Sequence, residues 1–259
     1  MRSRYVFLLA TALLVSICSC SNAQEFKRYN VQVVETLPHD VASYTQGLFF
    51  HDGQLYESAG QYGESSFRKV ELSTGKVLKR ENFDRKYFNE GACVFDGRLY
   101  ILTWREGVCF VYDIDSWKRL GTLPYTGEGW GLTTDGESLI MSDGTSTLTF
   151  RDPESFMVRR SVKVTHEGRG VLYLNELEYI DGEIWANIYG SDLIVRIDPQ
   201  SGKVKSVVNC AGLLPANLRK PSTDVLNGIA YNEADGSIYL TGKYWPKMYK
   251  VKLKEKKSK

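Results

Sequence analysis

One unit recurs five times in this chain: a short apolar run, an Asp-Gly pair, and a second run rich in Leu, Ile, Tyr or Trp. The copies are TQGLFFHDGQLYES from Thr45, NEGACVFDGRLYIL from Asn89, GWGLTTDGESLIMS from Gly129, NELEYIDGEIWANI from Asn175 and NGIAYNEADGSIYLTG from Asn227. Asp-Gly between apolar runs signals a hairpin, because the tight turn needs a positive φ that glycine adopts without strain. The five glycines, Gly53, Gly97, Gly136, Gly182 and Gly236, stand 44, 39, 46 and 54 positions apart.

After each of the first four hairpins come a third strand and a further turn, as in SSFRKVELSTGKVLKR from Ser65. Residues such as Ser73-Thr74-Gly75 and Asp152-Pro153-Glu154 break these runs with turn chemistry. Each unit reads as a four-stranded antiparallel meander with the length of a propeller blade. The fifth unit ends at KMYKVKL without a fourth strand, whereas a spare strand, YNVQVVETL, precedes the first hairpin. Pairing the two removes exposed sheet edges. The expected fold is all-β, a five-bladed β-propeller closed by the N-terminal strand and spanning residues 29–253. A β-sandwich does not account for five copies of one hairpin.

In such a ring the first strand of each blade lines the axis, and equivalent positions converge at one end. The residues at that position are Gln46, Glu90, Trp130, Asn175 and Asn227. A purely structural repeat has no need of unlike polar residues there, so they define a candidate pocket with one ionisable group. Second strands end at Trp104, at Tyr189 and in the GKYW segment that carries Lys243, which brings these side chains to the mouth. Phe88 and Tyr44 lie two residues before Glu90 and Gln46, on the same face by strand period. Polar channel residues also serve simply to bond water and backbone, and that reading stays open for Gln46 and Asn227. Burial among aromatics raises the pKa of a carboxyl toward the range useful for proton transfer, which singles out Glu90.

Other chemistries are not written in the chain. Three histidines, His39, His51 and His166, have no metal-ligand spacing, and there is no Cys-x-x-Cys pair. His39 reads as a loop histidine. No nucleophile elbow, P-loop or dinucleotide fingerprint occurs, and GEGWG precedes a strand rather than a helix. A formal net charge of +2 implies no nucleic-acid surface.

The N-terminus, MRSRYVFLLATALLVSICSC, has basic residues and then an apolar run too short to span a bilayer. It resembles a bacterial lipoprotein signal ending at Cys20. Residues 1–20 are therefore expected to be a signal segment, with lipid on Cys20. Residues 21–28 form a tether and residues 254–259 a basic tail. The alternative is plain secretion with cleavage near Ala23. The expected location is outside the bacterial cytoplasmic membrane, periplasmic or at the cell surface. Cys93, Cys109 and Cys210 then remain, an odd number that argues against a disulfide framework. Cys93 and Cys109 fall on next-nearest strands, about 9–10 Å apart and beyond disulfide reach.

PHDVASYTQGL, YFNEG, EGWGLTTDG, SDGTS, LNELEYIDGEIWANIY, DVLNGIAY and TGKYWP together resemble the plant-type glutaminyl cyclases, or glutaminyl-peptide cyclotransferases. The resemblance spreads over all five repeats. It implies a five-bladed propeller that converts N-terminal glutamine of peptides or proteins to pyroglutamate and releases ammonia. It places the catalytic glutamate on Glu90 and other site positions on Gln46, Phe88, Trp104, Trp130, Asn175 and Lys243. Two positions depart from the plant pattern: Tyr44 stands for Phe, and Tyr189 stands for Trp. No metal or cofactor is implied, and a monomer is expected. A non-catalytic surface propeller that binds peptides or glycans is the alternative from another class. A metal-dependent lactonase-type propeller ranks last, because it wants several axial carboxylates and the repeat position offers one.

Overall fold

The computed structural model describes residues 26–257. The expected signal segment, Cys20 and most of the expected tether lie outside them. The described chain is all-β and propeller-like. Strand β1 (Lys27–Pro38) comes first. The first repeat forms β2 (Thr45–His51), β3 (Gln54–Ala59), β4 (Ser66–Val70) and β5 (Val77–Asn82). The second forms β6 (Asn89–Phe95), β7 (Arg98–Thr103), β8 (Val108–Asp113) and β9 (Arg119–Pro124). The third forms β10 (Leu132–Thr134), β11 (Leu139–Met141), β12 (Thr147–Arg151) and β13 (Val158–Lys163). A short hairpin, β14 (Thr165–His166) and β15 (Arg169–Gly170), precedes the fourth repeat. That repeat forms β16 (Leu174–Ile180), β17 (Glu183–Ile188), β18 (Leu193–Ile197) and β19 (Val204–Asn209). The fifth forms β20 (Leu226–Asn232), β21 (Ser237–Gly242) and β22 (Lys247–Glu255).

Each of the first three repeats is a separate four-stranded meander. The fourth and fifth share one eight-stranded sheet, in which β1 lies between β19 and β22. β1 pairs antiparallel with β22 from Tyr29↔Glu255 to Pro38↔Lys247, as the missing strand of the fifth repeat requires. It also pairs in parallel with β19 over Lys27–Asn30. These two ladders explain why β1 begins at Lys27 rather than Tyr29, and why β22 continues to Glu255.

The hairpins form where Asp-Gly predicts them. Asp52 and Gly53 have φ of 47° and 68°, and Asp181 and Gly182 have 49° and 80°, the two positive values of a type I′ turn. The inner strands β2 and β6 are buried over their first five residues, whereas β5 and β9 are partly buried or exposed throughout.

The core is divided among the gaps between repeats. Phe49, Tyr56 and Phe67 pack on Leu99, Ile101 and Phe110, joining the first repeat to the second. Similar clusters join second to third, third to fourth, and fourth to fifth. A fifth cluster returns to the start, with Leu48, Leu55 and Val70 against Ala230, Tyr239 and Met248. Cys93, Cys109 and Cys210 are buried and free, and burial raises all three thiol pKa values.

Small residues let the first strands approach. A Cβ on Gly131 would overlap the Asn175 carbonyl oxygen and the Leu177 side chain, and one on Gly91 would overlap the backbone of Trp130 and Leu132. Gly131→Ala is expected to cost about 2–3 kcal/mol, at the upper part of the range for overpacking. The urea midpoint should fall accordingly. A midpoint equal to that of the parent would mean that the two strands separate freely.

Candidate active site

At one end of the channel a cavity of about 210 Å³ is lined by Tyr44, Gln46, Gln61, Phe88, Glu90, Trp104, Trp130, Asn175, Tyr189 and Lys243. Nine of these residues were singled out in the sequence; Gln61 was not. A larger cavity, about 500 Å³, opens among Asp52, Gly53, Thr134, Glu178, Tyr231 and Asn232, near the hairpin turns. The smaller one has the character of a ligand site, with aromatic walls and a few convergent buried polar groups.

One backbone hydrogen bond builds the mouth in four repeats. The N–H groups of Gly60, Trp104, Tyr189 and Lys243 donate to the carbonyls of Tyr44, Phe88, Tyr173 and Val225 at 2.9, 2.8, 2.9 and 3.0 Å. Each acceptor lies two residues before the axial residue of its own repeat. The first repeat carries Gly60 where the others carry a large side chain, because a Cβ there would overlap the Phe88 ring. The following residue, Gln61, reaches the cavity instead and adopts φ 111°. The clue in the sequence was a glycine at the one mouth position that lacked a large residue.

Asn227 is displaced from the expected set. Its Nδ2 donates to the Thr45 carbonyl at 2.8 Å and to Gln46 Oε1 at 3.3 Å, so it lies behind Gln46 and does not line the cavity. Gln46 in turn donates from Nε2 to Glu90 Oε1 at 2.8 Å. In this relay Asn227 orients Gln46, and Gln46 presents an N–H to Glu90. Ser58 Oγ donates to the Glu90 carbonyl at 2.6 Å and holds its backbone.

Glu90 is 4% exposed, and burial pushes its pKa well above the ordinary carboxylate range. The positive charge of Lys243 opposes that rise, while Glu128 and Glu106 add to it. Lys243 is 2% exposed, and burial lowers it to about 8 despite the attraction of Glu90 and Asp224. Its ammonium lies 4.3 Å from the Tyr44 ring centre and 5.0 Å from that of Tyr189, in cation–π reach of both. Burial, with a smaller contribution from neighbouring Tyr189, raises the Tyr44 hydroxyl pKa. The two departures from the plant pattern therefore meet around one lysine. Asn175, which lines the cavity, has a buried Oδ1 without a protein partner.

Axial carboxyls are more numerous than the repeat position suggested. Glu176 accepts the N–H groups of Leu48 at 3.3 Å and Ile229 at 2.9 Å, and Glu178 accepts that of Tyr231 at 2.9 Å. Both have pKa values raised well above the usual range by burial. They join β16 to its neighbours below the pocket. Among the described residues, no three His, Cys, Asp or Glu side chains are gathered as a metal ion requires.

His39 lies in the loop after β1, as expected, and is buried there in a hydrogen-bonded network. Nδ1 contacts the Trp245 carbonyl at 2.7 Å, and Nε2 contacts Glu57 Oε1 at 3.0 Å. That oxygen also accepts Ser43 Oγ at 2.5 Å and Thr45 Oγ1 at 2.6 Å, while Glu57 Oε2 takes Arg68 at 2.6 Å. Arg68 bonds Asp40 at 2.7 Å. The network fastens the segment that carries Tyr44 and Gln46 to the turn that carries Lys243.

A profile of the family described as glutamine cyclotransferase matches residues 7–253. The glutaminyl-peptide cyclotransferase of Arabidopsis thaliana is 43% identical over 235 residues, which cover 88% of this chain and 73% of that protein. The crystal structure of Myxococcus xanthus glutaminyl cyclase matches with a TM-score of 0.84 at 36% identity, covering 90% of this chain and 100% of that one. On a match of this length, with relatives this similar, the chain belongs to the glutamine cyclotransferase family.

Proposed function

We propose that the protein is a glutaminyl-peptide cyclotransferase, closing the N-terminal glutamine of peptides or proteins to pyroglutamate with Glu90 as proton shuttle. The observation that carries this reading is a buried carboxyl, its pKa raised by burial and its position aligned by Gln46, in a cavity of about 210 Å³ walled by aromatics. The α-amine nitrogen attacks the side-chain amide carbon, forming the ring N–C bond. One proton passes from that nitrogen through Glu90 to the departing nitrogen, the old C–N bond breaks, and ammonia leaves. The rings hold the side chain folded so that amine and carbonyl meet. The Asn175 amide N–H and the Lys243 ammonium are the donors that meet the carbonyl oxygen as it gains charge.

The reactive complex holds one proton between Glu90 and the amine, whose free pKa is about 7.7–8.0. kcat/KM is therefore expected to rise toward pH 8. It should bend downward above that as Lys243, near 8, loses its charge. A flat profile between pH 6 and 9.5 would remove both groups from the mechanism. The direct test is ammonia release from a short glutamine-initiated peptide, with the ring product identified by mass spectrometry and chelator present in one arm. Chelator-resistant turnover is expected. A folded protein without turnover would favour the binding propeller.

The same reading takes the fold as five blades closed by β1, one for each hairpin and each inter-repeat cluster. It keeps residues 29–253 as the working domain, as a monomer exported on a lipid at Cys20. Incorporation of labelled fatty acid, lost in Cys20→Ser, checks the anchor.

A further inference from the structure

Two of the cavity's walls are held by a residue that does not line it. Glu128 Oε2 accepts the indole N–H of Trp104 at 2.8 Å and that of Trp130 at 2.9 Å. Its other oxygen accepts Arg105 Nε at 2.9 Å, and the Arg105 guanidinium lies 3.6 Å from the Trp104 ring centre. Trp104 belongs to the second repeat and Trp130 to the third, so one carboxylate joins two rings across a gap between sheets. Those rings continue the wall in both directions: Trp104 contacts Phe88 at 5.5 Å and Trp130 contacts Tyr189 edge-on at 5.7 Å.

We propose that Glu128 is a positioning residue, whose single oxygen sets the separation of Trp104 and Trp130 and so the slot in which the glutamine side chain folds. This rests on the reading of the site as a cyclotransferase centre. The chemistry calls for a carboxylate. Three N–H donors converge on the group, and an amide turned to accept both indoles would point its own N–H at Arg105. Partial burial pushes the Glu128 carboxyl up, but the hydrogen bonds from Trp130, Arg105 and Trp104 together hold it below its ordinary pKa, consistent with the ionised form. Its side chain is 34% exposed, so its removal leaves no deeply buried charge behind.

The test compares the parent with Glu128→Ala, Glu128→Gln and Glu128→Asp, using steady-state kinetics on a glutamine-initiated peptide and the indole N–H signals of ¹⁵N-labelled protein. Misplacing rings that align reacting atoms by an ångström costs up to about 100-fold. Glu128→Ala is accordingly expected to lower kcat/KM by about 30–100-fold, in kcat as well as KM, at a near-parental melting temperature. Glu128→Gln should recover part of the loss and Glu128→Asp less, because a shorter side chain reaches one indole. The signals of Trp104 and Trp130 should be protected from solvent exchange in the parent and lose that protection together in the alanine variant. A Glu128→Ala protein with parental kinetics, or with both indoles still protected, would overturn the proposal. Absence of turnover in the parent would instead defeat the cyclotransferase reading, and the indole signals alone would then decide whether the clamp exists.

Discussion

Glu90→Gln is expected to lower kcat by about 10³–10⁴-fold, the upper part of what a positioned general acid–base group contributes. The amide has the same shape, and its carbonyl can still accept the Gln46 N–H, so binding geometry and KM should change little. What disappears is a group able to take a proton and return it. Stability should move the other way. The folded-state pKa of Glu90 lies well above its ordinary value, so this group favours folding most below the unfolded pKa and loses that contribution as pH rises toward the folded one. At pH 8 the glutamine variant should melt at or above the parental temperature. Turnover comparable to the parent would sink the shuttle assignment; a large drop in melting temperature would mean that the lost activity reflects damage to the fold.

Glu57→Gln is expected to be the most destabilising of the substitutions considered, at about 3–5 kcal/mol, the usual cost of stranding buried charges. Arg68 is 2% exposed and would keep only the Asp40 partner, while His39 would lose its counter-ion. For a chain of this size each kcal/mol moves the melting temperature by roughly 2–4 °C, so a drop on the order of 10 °C follows. The pH dependence has two signs. Burial alone would raise the Glu57 pKa, but Arg68 and His39 hold it below its model-peptide value of 4.5, so its contribution is present above that value and fades as pH falls. Burial alone would lower His39, but the Glu57 charge raises it, so its contribution is full below 6.5 and is lost as pH rises through the folded value. Together they favour mildly acid conditions, and urea midpoints at pH 5.5 and 9 should differ more in the parent than in the variant. Equal differences would place the pH response elsewhere.

The repeats were legible because turn chemistry and strand alternation are local. Asp-Gly at Gly53 or Gly182 fixes its own hairpin wherever the sheet lies. The strand position of Glu90 then fixed its place in the site, since equivalent residues of a repeat must meet. What escaped was depth and neighbourhood. Asn227 holds the same repeat position as Gln46, yet Gln46 covers it, and nothing local separates the two. Glu176 and Glu178 follow the alternation of any half-exposed strand; only the third dimension reveals that their alternate face is the channel. Glu57, His39 and Glu128 act through partners far away in sequence or two residues off in an unexpected direction. The short β14–β15 hairpin lacks both the Asp-Gly pair and the apolar runs that marked the others.

The double pairing of β1 ties its burial to the arrival of β22. Tyr29 is among the first described residues to be made, and its antiparallel partner, Glu255, is among the last. Contacts so remote in sequence form late and slowly. Until β22 emerges, β1 offers unpaired backbone groups and the first repeat lacks the Met248 part of its packing. A nascent chain therefore waits, with four repeats already able to stack and one lateral face open, for β22. Folding helpers or a competing strand from another molecule would act in that interval, and the pairing that covers both edges of β1 also sets the moment at which that edge stops being vulnerable.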